Sequence, residues 1–271
     1  MRYAVIGGDM RFVRLAGMLN ESGRETIGFL QENADENSGN LAELMKCSVI
    51  ISNWPMRWPL SKTKISPEEI LAKISPGSTL LLCGPKFPEA QNDDLNYVNL
   101  WEDERLLIEN AWLTAEAAVA SALRRCGGSL LHANCAVIGC GRIGRALTEI
   151  LKNMGAQVTI ISRSSEKRRQ AQEKGVKAAD CTEIKAVLPE QRFIFSTPPC
   201  QVLNEESLAF VRKDALLMDL ASPPYGFDLD IALEMGINAC REPGLPGRYC
   251  PVSAARALYH AVVRWEEEDH G

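Results

Sequence analysis

The chain is poor in the residues that announce metal or hydrolytic chemistry. Three histidines occur among 271 residues, His132, His260 and His270, too dispersed to build a histidine metal cluster. No Ser/His/Asp order and no carboxylate cluster stands out, which disfavours hydrolase chemistry and leaves no metal expected. The nine cysteines lack C-x-x-C or Cys/His ligand spacing. An odd, scattered set reads as small buried hydrophobes in a reducing cytosol, so a cytoplasmic protein is expected. No apolar run approaches the roughly 20 residues that span a bilayer, and no membrane partner is expected. The net charge of −5 gives no basic excess, hence no nucleic-acid partner. The start, from Met1 to Asp9, reads as a strand entering a glycine turn, too short and too soon acidic for a secretory signal.

What is present is a nucleotide-binding turn near the middle of the chain. Cys135-Ala136-Val137-Ile138 is an apolar strand that runs into Gly139-Cys140-Gly141-Arg142-Ile143-Gly144 and then a helix to about residue 153. In this G-x-G-x-x-G pattern the first glycine makes the turn, the second lets backbone approach a pyrophosphate, and the third lets helix and strand pack closely. The phosphates rest on the unpaired N–H groups and positive dipole end of the helix. A glycine pattern alone is weak, but here Gly155 closes the helix and a second strand, Val158-Thr159-Ile160-Ile161, completes a βαβ unit. Where an acid would hold a ribose 2′-hydroxyl, the chain has Ser162-Arg163-Ser164-Ser165. An arginine between hydroxyls, with Lys167 and Arg168 behind it, suits a 2′-phosphate, so NADP is expected rather than NAD. The competing interpretation is a solvated basic helix start.

Length allows one large domain or two modest ones. The pattern predicts an α/β protein of two open doubly wound (Rossmann-like) domains with an interdomain cleft. Residues 1–112 form the first, with strands near 2–6, 26–30, 47–51 and 79–82, a helix from about 12 to 22, and a polar loop over 31–40. Ser66-Pro67-Glu68-Glu69 has the order of a helix start. A connecting helix is expected over 113–128, with Thr114 as N-cap and Gly127-Gly128 as stop. Residues 129–252 form the NADP domain, with strands at 135–139, 158–162, 193–196, 215–219 and 237–240. Residues 253–271 are expected as a helix that returns to the first domain and ends in a solvated acidic tail, Glu266–Asp269.

Ligands of open α/β sheets bind beyond the carboxyl ends of the strands. Thr197-Pro198, Ala221-Ser222 and the loop from Pro243 to Arg248 fall there, in stiff proline- and glycine-rich segments that expose backbone. The expected cofactor residues are therefore Gly139, Gly141, Arg142, Ile143, Gly144, Ser162, Arg163, Ser164, Thr197, Pro198, Ala221 and Ser222. On the first domain, Asp9, Arg11 and Lys86 would face the cleft, Arg11 and Lys86 as carboxylate anchors. Glu116 is either a site residue or a first-turn acid favoured by the helix dipole.

These residues together resemble the A subunit of dipicolinate synthase, a sporulation enzyme of spore-forming bacteria. The resemblance covers nearly the whole chain. It rests on Ala4-Val5-Ile6-Gly7-Gly8-Asp9-Met10-Arg11, on the run from Ala136 to Gly144, on Arg163-Ser164-Ser165, on Asp219-Leu220-Ala221-Ser222, and on Pro243-Gly244-Leu245-Pro246-Gly247. It implies a two-domain NADP-linked dehydrogenase that, with the dipicolinate synthase B subunit, converts a dihydrodipicolinate-type lysine-pathway intermediate to pyridine-2,6-dicarboxylate; a homodimer is also compatible. The chain departs from that family after Ser222, where Arg-Pro-Gly-Gly is replaced by Pro223-Pro224-Tyr225-Gly226, so Arg248 is the candidate to supply the missing charge. Ring oxidation needs hydride loss and one proton loss; Asp9 or Glu116 are candidate proton acceptors, and Arg11 and Arg248 candidate anchors. Other two-domain dehydrogenases, of 2-hydroxy-acid or shikimate type, and a non-catalytic nucleotide-sensing protein remain open.

Overall fold

The computed structural model of the chain describes residues 1–31, 40–56, 66–84 and 92–270. Most of the loop expected over 31–40, and the candidate anchor Lys86, lie outside the described residues. The chain divides into two compact units, Met1–Asn110 with Pro246–Gly271, and Ala111–Leu245.

The first unit holds β1 (Arg2–Ile6), α1 (Met10–Glu21), β2 (Glu25–Phe29), α2 (Leu41–Leu44), β3 (Val49–Asn53), α3 (Pro67–Leu71), β4 (Thr79–Cys83) and β5 (Asn96–Asn99). Its five parallel strands lie in the order β2-β1-β3-β4-β5. Both faces are covered, which is why these strands read as near-continuous apolar runs. On one face Tyr3, Val5, Val49, Ile51 and Leu81 pack with Phe12, Leu15 and Leu19 of α1. On the other, Ala4, Ile6, Ile50, Leu80 and Leu82 pack with Leu44 and Ile70. Ser66 and Glu69 form the reciprocal capping box that the local order predicts for α3.

The second unit carries β6 (Asn134–Ile138), β7 (Gln157–Ile161), β8 (Lys177–Ala179), β9 (Phe193–Ser196), β10 (Leu216–Asp219) and β11 (Asn238–Arg241). All pair in parallel, in the order β11-β10-β9-β6-β7-β8. The order reverses between β6 and β9, the crevice at which doubly wound sheets bind dinucleotides. Its helices include α5 (Arg142–Asn153), α6 (Ser165–Glu173), α7 (Ile184–Val187), α8 (Glu205–Leu208) and α9 (Leu229–Glu234).

The helix expected to start at Thr114 instead runs as α4 (Glu104–Cys126). Its start is fixed by Asp103, whose Oδ1 accepts from the amides of Arg105 at 2.8 Å and Leu106 at 3.2 Å. Thr114 is buried mid-helix, and Glu116 is therefore not a first-turn acid: it sits exposed in the middle of α4. By length and composition α4 could cross a membrane, contrary to the expectation of no such run, yet half of its most apolar stretch is buried in the fold. Ala111, Ala115, Ala118 and Ala122 are among its buried residues. Within the second unit, the Ser121 hydroxyl and the Arg125 guanidinium tie it to the buried Glu242, at 3.0 and 2.5 Å.

After α10 (Leu245–Tyr249) the chain forms α11 (Pro251–His270), and Ala255, Leu258, Ala261 and Val262 complete the core against α1 in the first unit. Burying a leucine or valine side chain there is worth about 1.5–3 kcal/mol. Of the acidic end expected to be solvated, Glu267 and Glu268 are exposed, but Glu266 is held. Glu266 accepts the Tyr3 hydroxyl and pairs with Arg24 at 2.5 and 2.9 Å.

Candidate functional site

The glycine turn follows directly from β6. Gly139 has φ of +96°, open to glycine at little cost, and its N–H donates to Ile161 O at 2.9 Å, tying the turn to β7. A Cβ on Gly144 would fall 3.0 Å from the Gly139 carbonyl carbon and nearer still to its oxygen, so α5 rests on the turn itself. At Gly141 the situation is opposite: φ is −83°, a Cβ would meet no protein atom within 4 Å, and no side chain caps the helix that starts there. The start of α5 thus has no side-chain cap and open space beside Gly141, which is what a pyrophosphate requires.

A cavity of about 540 Å³ opens at this point. It brings together Gly139, Gly141, Ser162, Arg163, Ser164, Thr197 and Pro198, with Lys167 beside them. Arg142, Ile143 and Gly144 follow as the first residues of α5. Thr197 is pinned to β6, its amide and hydroxyl both donating to Ile138 O, at 3.0 and 2.9 Å.

At the end of β7 the two arginines of the basic stretch have different tasks. Arg168 is drawn inward: its Nη1 donates to Ser162 O at 2.6 Å, Arg163 O at 3.0 Å and the Asp180 carboxylate at 2.6 Å. It shapes the loop rather than standing behind a phosphate, as the sequence had placed it. The Asp180 carboxyl is held below its usual range by the Thr182 amide and hydroxyl first, then by Arg168. Ser164 caps α6 through the Lys167 amide at 3.3 Å. Arg163 is exposed at the cavity, and its side chain makes no hydrogen bond or ion pair among the described residues. No carboxylate lines the cavity among the described residues.

Ala221 and Ser222 lie in the loop after β10, outside the residues lining that cavity. The loop is organised by the first residue of the Asp219–Ser222 motif, to which the sequence reading gave no role of its own. Asp219 is fully buried, and its carboxylate accepts from the amides of Ala221 at 3.1 Å and Gly226 at 2.9 Å. Burial pushes its carboxyl above the ordinary range, opposed by those amides and by Arg241. Gly226 is pressed on Ser196 of β9; a Cβ would sit 2.9 Å from that of Ser196. A strand-final acid followed by glycine seven residues later was the available signal.

In the first unit, Asp9 and Arg11 are brought together as a pair. The Asp9 side chain caps α1 through the Arg11 amide at 3.0 Å, and the Arg11 guanidinium grips the same carboxylate at 2.8 and 2.9 Å. Gly247 of α10 packs against it, a Cβ there falling 2.6 Å from Asp9 Cγ. Arg248, the next residue, lies 5.8 Å from the Tyr249 ring. Glu116 belongs to the second unit.

A strand, a glycine-led helix without a side-chain cap and the 3-2-1-4-5-6 strand order define a doubly wound unit of the dinucleotide-binding class. Comparison agrees: residues 103–222 match the family described as D-isomer specific 2-hydroxyacid dehydrogenase, NAD binding domain. That match supports NAD(P) binding by the second unit and an oxidoreductase of the dehydrogenase kind. The resemblance to the dipicolinate synthase A subunit holds over its length: that protein of Bacillus subtilis (strain 168) is 26% identical over 289 residues, covering 97% of this chain and 95% of that one. The crystal structure of the dipicolinate synthase A subunit from Bacillus halodurans superposes with a TM-score of 0.83 at 24% identity, covering 97% of each chain. A transhydrogenase from Sinorhizobium meliloti shares the fold at TM-score 0.72 and 15% identity, over 98% of this chain and 93% of that one.

Proposed function

We propose that the chain is an NADP-linked dehydrogenase of the dipicolinate synthase kind, acting in the cytoplasm on a dihydrodipicolinate-type dicarboxylate to give pyridine-2,6-dicarboxylate. The observation that carries the cofactor choice is Arg163. It stands at the cavity mouth beyond β7 with Lys167 near it, while Ser162 occupies the place of a ribose-binding acid. A guanidinium with unused donors suits a 2′-phosphate, and a neutral hydroxyl leaves no charge to repel one.

The donor set fits the dinucleotide. The start of α5, which no side chain caps and where Gly141 leaves open space, would hold the pyrophosphate, and Ser162, Arg163 and Ser164 the adenosine ribose. Thr197, pinned to β6, and Pro198 beside it would flank the nicotinamide ribose, with Ala221 and Ser222 beyond them. When bound, NADP supplies a hydride acceptor; aromatisation of the substrate ring supplies much of the driving force. The chain's own task is orientation, holding the two rings face to face with reacting atoms about 3–3.5 Å apart. Asp9, Arg11, Glu116 and Arg248 remain the proposed first choices for proton acceptance and carboxylate binding. The Asp9–Arg11 pair must open before either can serve a substrate.

A dipicolinate synthase B subunit as partner and a role in sporulation accompany this proposal, on the strength of the relatives' names. The test is absorbance at the NADPH band with freshly generated lysine-pathway precursor, with and without a B subunit. Formation of NADPH together with pyridine-2,6-dicarboxylate is the expected result. Dinucleotide binding without turnover in both mixtures would replace the enzyme with a nucleotide sensor.

A further inference from the structure

The second unit carries a guanidinium that no motif announced. Arg241 ends β11 and is the register partner of Asp219 at the end of β10. All six strands are parallel, so both residues lie on the same carboxyl edge as the glycine turn. The side chain leans back over β10: its Nε comes within 3.9 Å of Asp219 Oδ2, and its Cζ lies 3.6 Å from the centre of the Tyr225 ring. Stacking on Tyr225 fixes the plane of the guanidinium.

Its hydrogen bonding is incomplete. A guanidinium has five N–H donors, and here Nη2 donates to Phe227 O at 3.2 Å. Nε is buried without a hydrogen-bond partner. The side chain is a quarter exposed, enough for an incoming anion to reach the Nη edge. A planar, oriented fork with donors to spare, open on one edge, is the arrangement that takes a carboxylate in bidentate fashion.

Position decides which carboxylate. A dinucleotide straddles the switch point, one mononucleotide half on each side. Arg163 marks the β6-β7-β8 side as the adenosine half, so the β9-β10-β11 side receives the redox ring. Arg241 stands on that side, about two strand spacings, or roughly 10 Å, from the β9 loop before its side chain leans inward. Nicotinamide itself is neutral in its carboxamide; the anion to be held at that end is the substrate's.

Resting on the reading of this site as a dicarboxylate dehydrogenase, we propose that Arg241, oriented by Tyr225 and braced by Asp219, is the carboxylate anchor that the nucleotide-binding unit contributes to the substrate. It replaces no cofactor contact, and it puts a charge beside a loop whose own exposed residues, Ser222, Pro223 and Pro224, carry none.

The test uses the full chain saturated with NADP and titrated with pyridine-2,6-dicarboxylate and with pyridine-2-carboxylate, comparing wild type, Arg241→Met and Arg241→Lys. NADP affinity and melting temperature are measured on each. The expected result is a loss of about 10- to 100-fold in diacid affinity for Arg241→Met, the size of a charge-assisted pair. Arg241→Lys recovers part of it, and NADP affinity stays within about twofold throughout. Unchanged diacid affinity in Arg241→Met overturns the assignment, as does a loss that tracks NADP affinity or melting temperature. A wild type that binds NADP but neither acid removes the dicarboxylate reading, and Arg241's role with it.

Discussion

Gly144 sits on the carbonyl of Gly139, and Gly141, midway between them, touches nothing at the place where its side chain would be. The two glycines of one turn therefore serve different ends. Gly144→Ala forces α5 off the turn and is expected to cost about 1–3 kcal/mol of stability. Gly141→Val keeps an ordinary φ and its Cβ meets no protein atom within 4 Å, so melting should stay near that of the wild type while dinucleotide binding is lost. Fluorescence titration beside thermal melting separates the two. Equal destabilisation by both substitutions would mean that the open space at Gly141 is not a ligand's.

Arg163→Ala tests cofactor choice. The guanidinium is exposed and unpaired among the described residues, so its removal should leave the fold intact. NADP affinity is expected to fall about 10- to 100-fold, the range for a charge-assisted bond to phosphate, with NAD affinity nearly constant. Parallel losses for both dinucleotides would remove the 2′-phosphate assignment.

Glu266→Gln probes the C-terminal helix. Glu266 is 15% exposed and binds Arg24 and Tyr3, whose hydroxyl is raised in pKa by burial first and by this carboxylate second. A loss of about 1.5–3 kcal/mol is expected in denaturant unfolding, where an exposed tail acid would give nearly none.

Asp103 links the start of α4 to α11 within the first unit. Burial works against its ionisation, but the Arg264 guanidinium at 2.9 Å and the two capping amides outweigh it and hold the carboxyl below its ordinary value. A carboxyl with a lowered folded pKa adds stability above its unfolded pKa and loses it as pH falls through the folded one. Asp103→Asn should thus be destabilised by about 1–2 kcal/mol at pH 7, with the gap to wild type closing below about pH 4. A gap that persists undiminished at pH 3 would assign the effect to packing alone.

The second sheet was legible because its signals are local. Apolar runs, the glycine turn and Gly155 fall within one βαβ stretch, and β6, α5 and β7 lie where that stretch puts them. β5 and β8 escaped notice because Asn96–Asn99 and Lys177–Ala179 are short and lack a buried apolar run. The start of α4 was misplaced because Glu102-Asp103-Glu104-Arg105 reads as a charged loop until Arg264, far along the chain, is seen to hold Asp103. The site shows the same division. Residues of the glycine turn and of the Ser162–Ser164 loop gather at one cavity, as sequence-local motifs should. Asp219 and Arg241 meet through strand pairing, and Arg168 turns to Asp180 through β8; no spacing rule connects such partners.

Titration calorimetry of the folded chain with NADP and with NAD tests the central claim most directly. The account predicts saturable heat with both at one site per chain, NADP binding the tighter. Absence of heat with either coenzyme, on material with a cooperative melting transition, would contradict it.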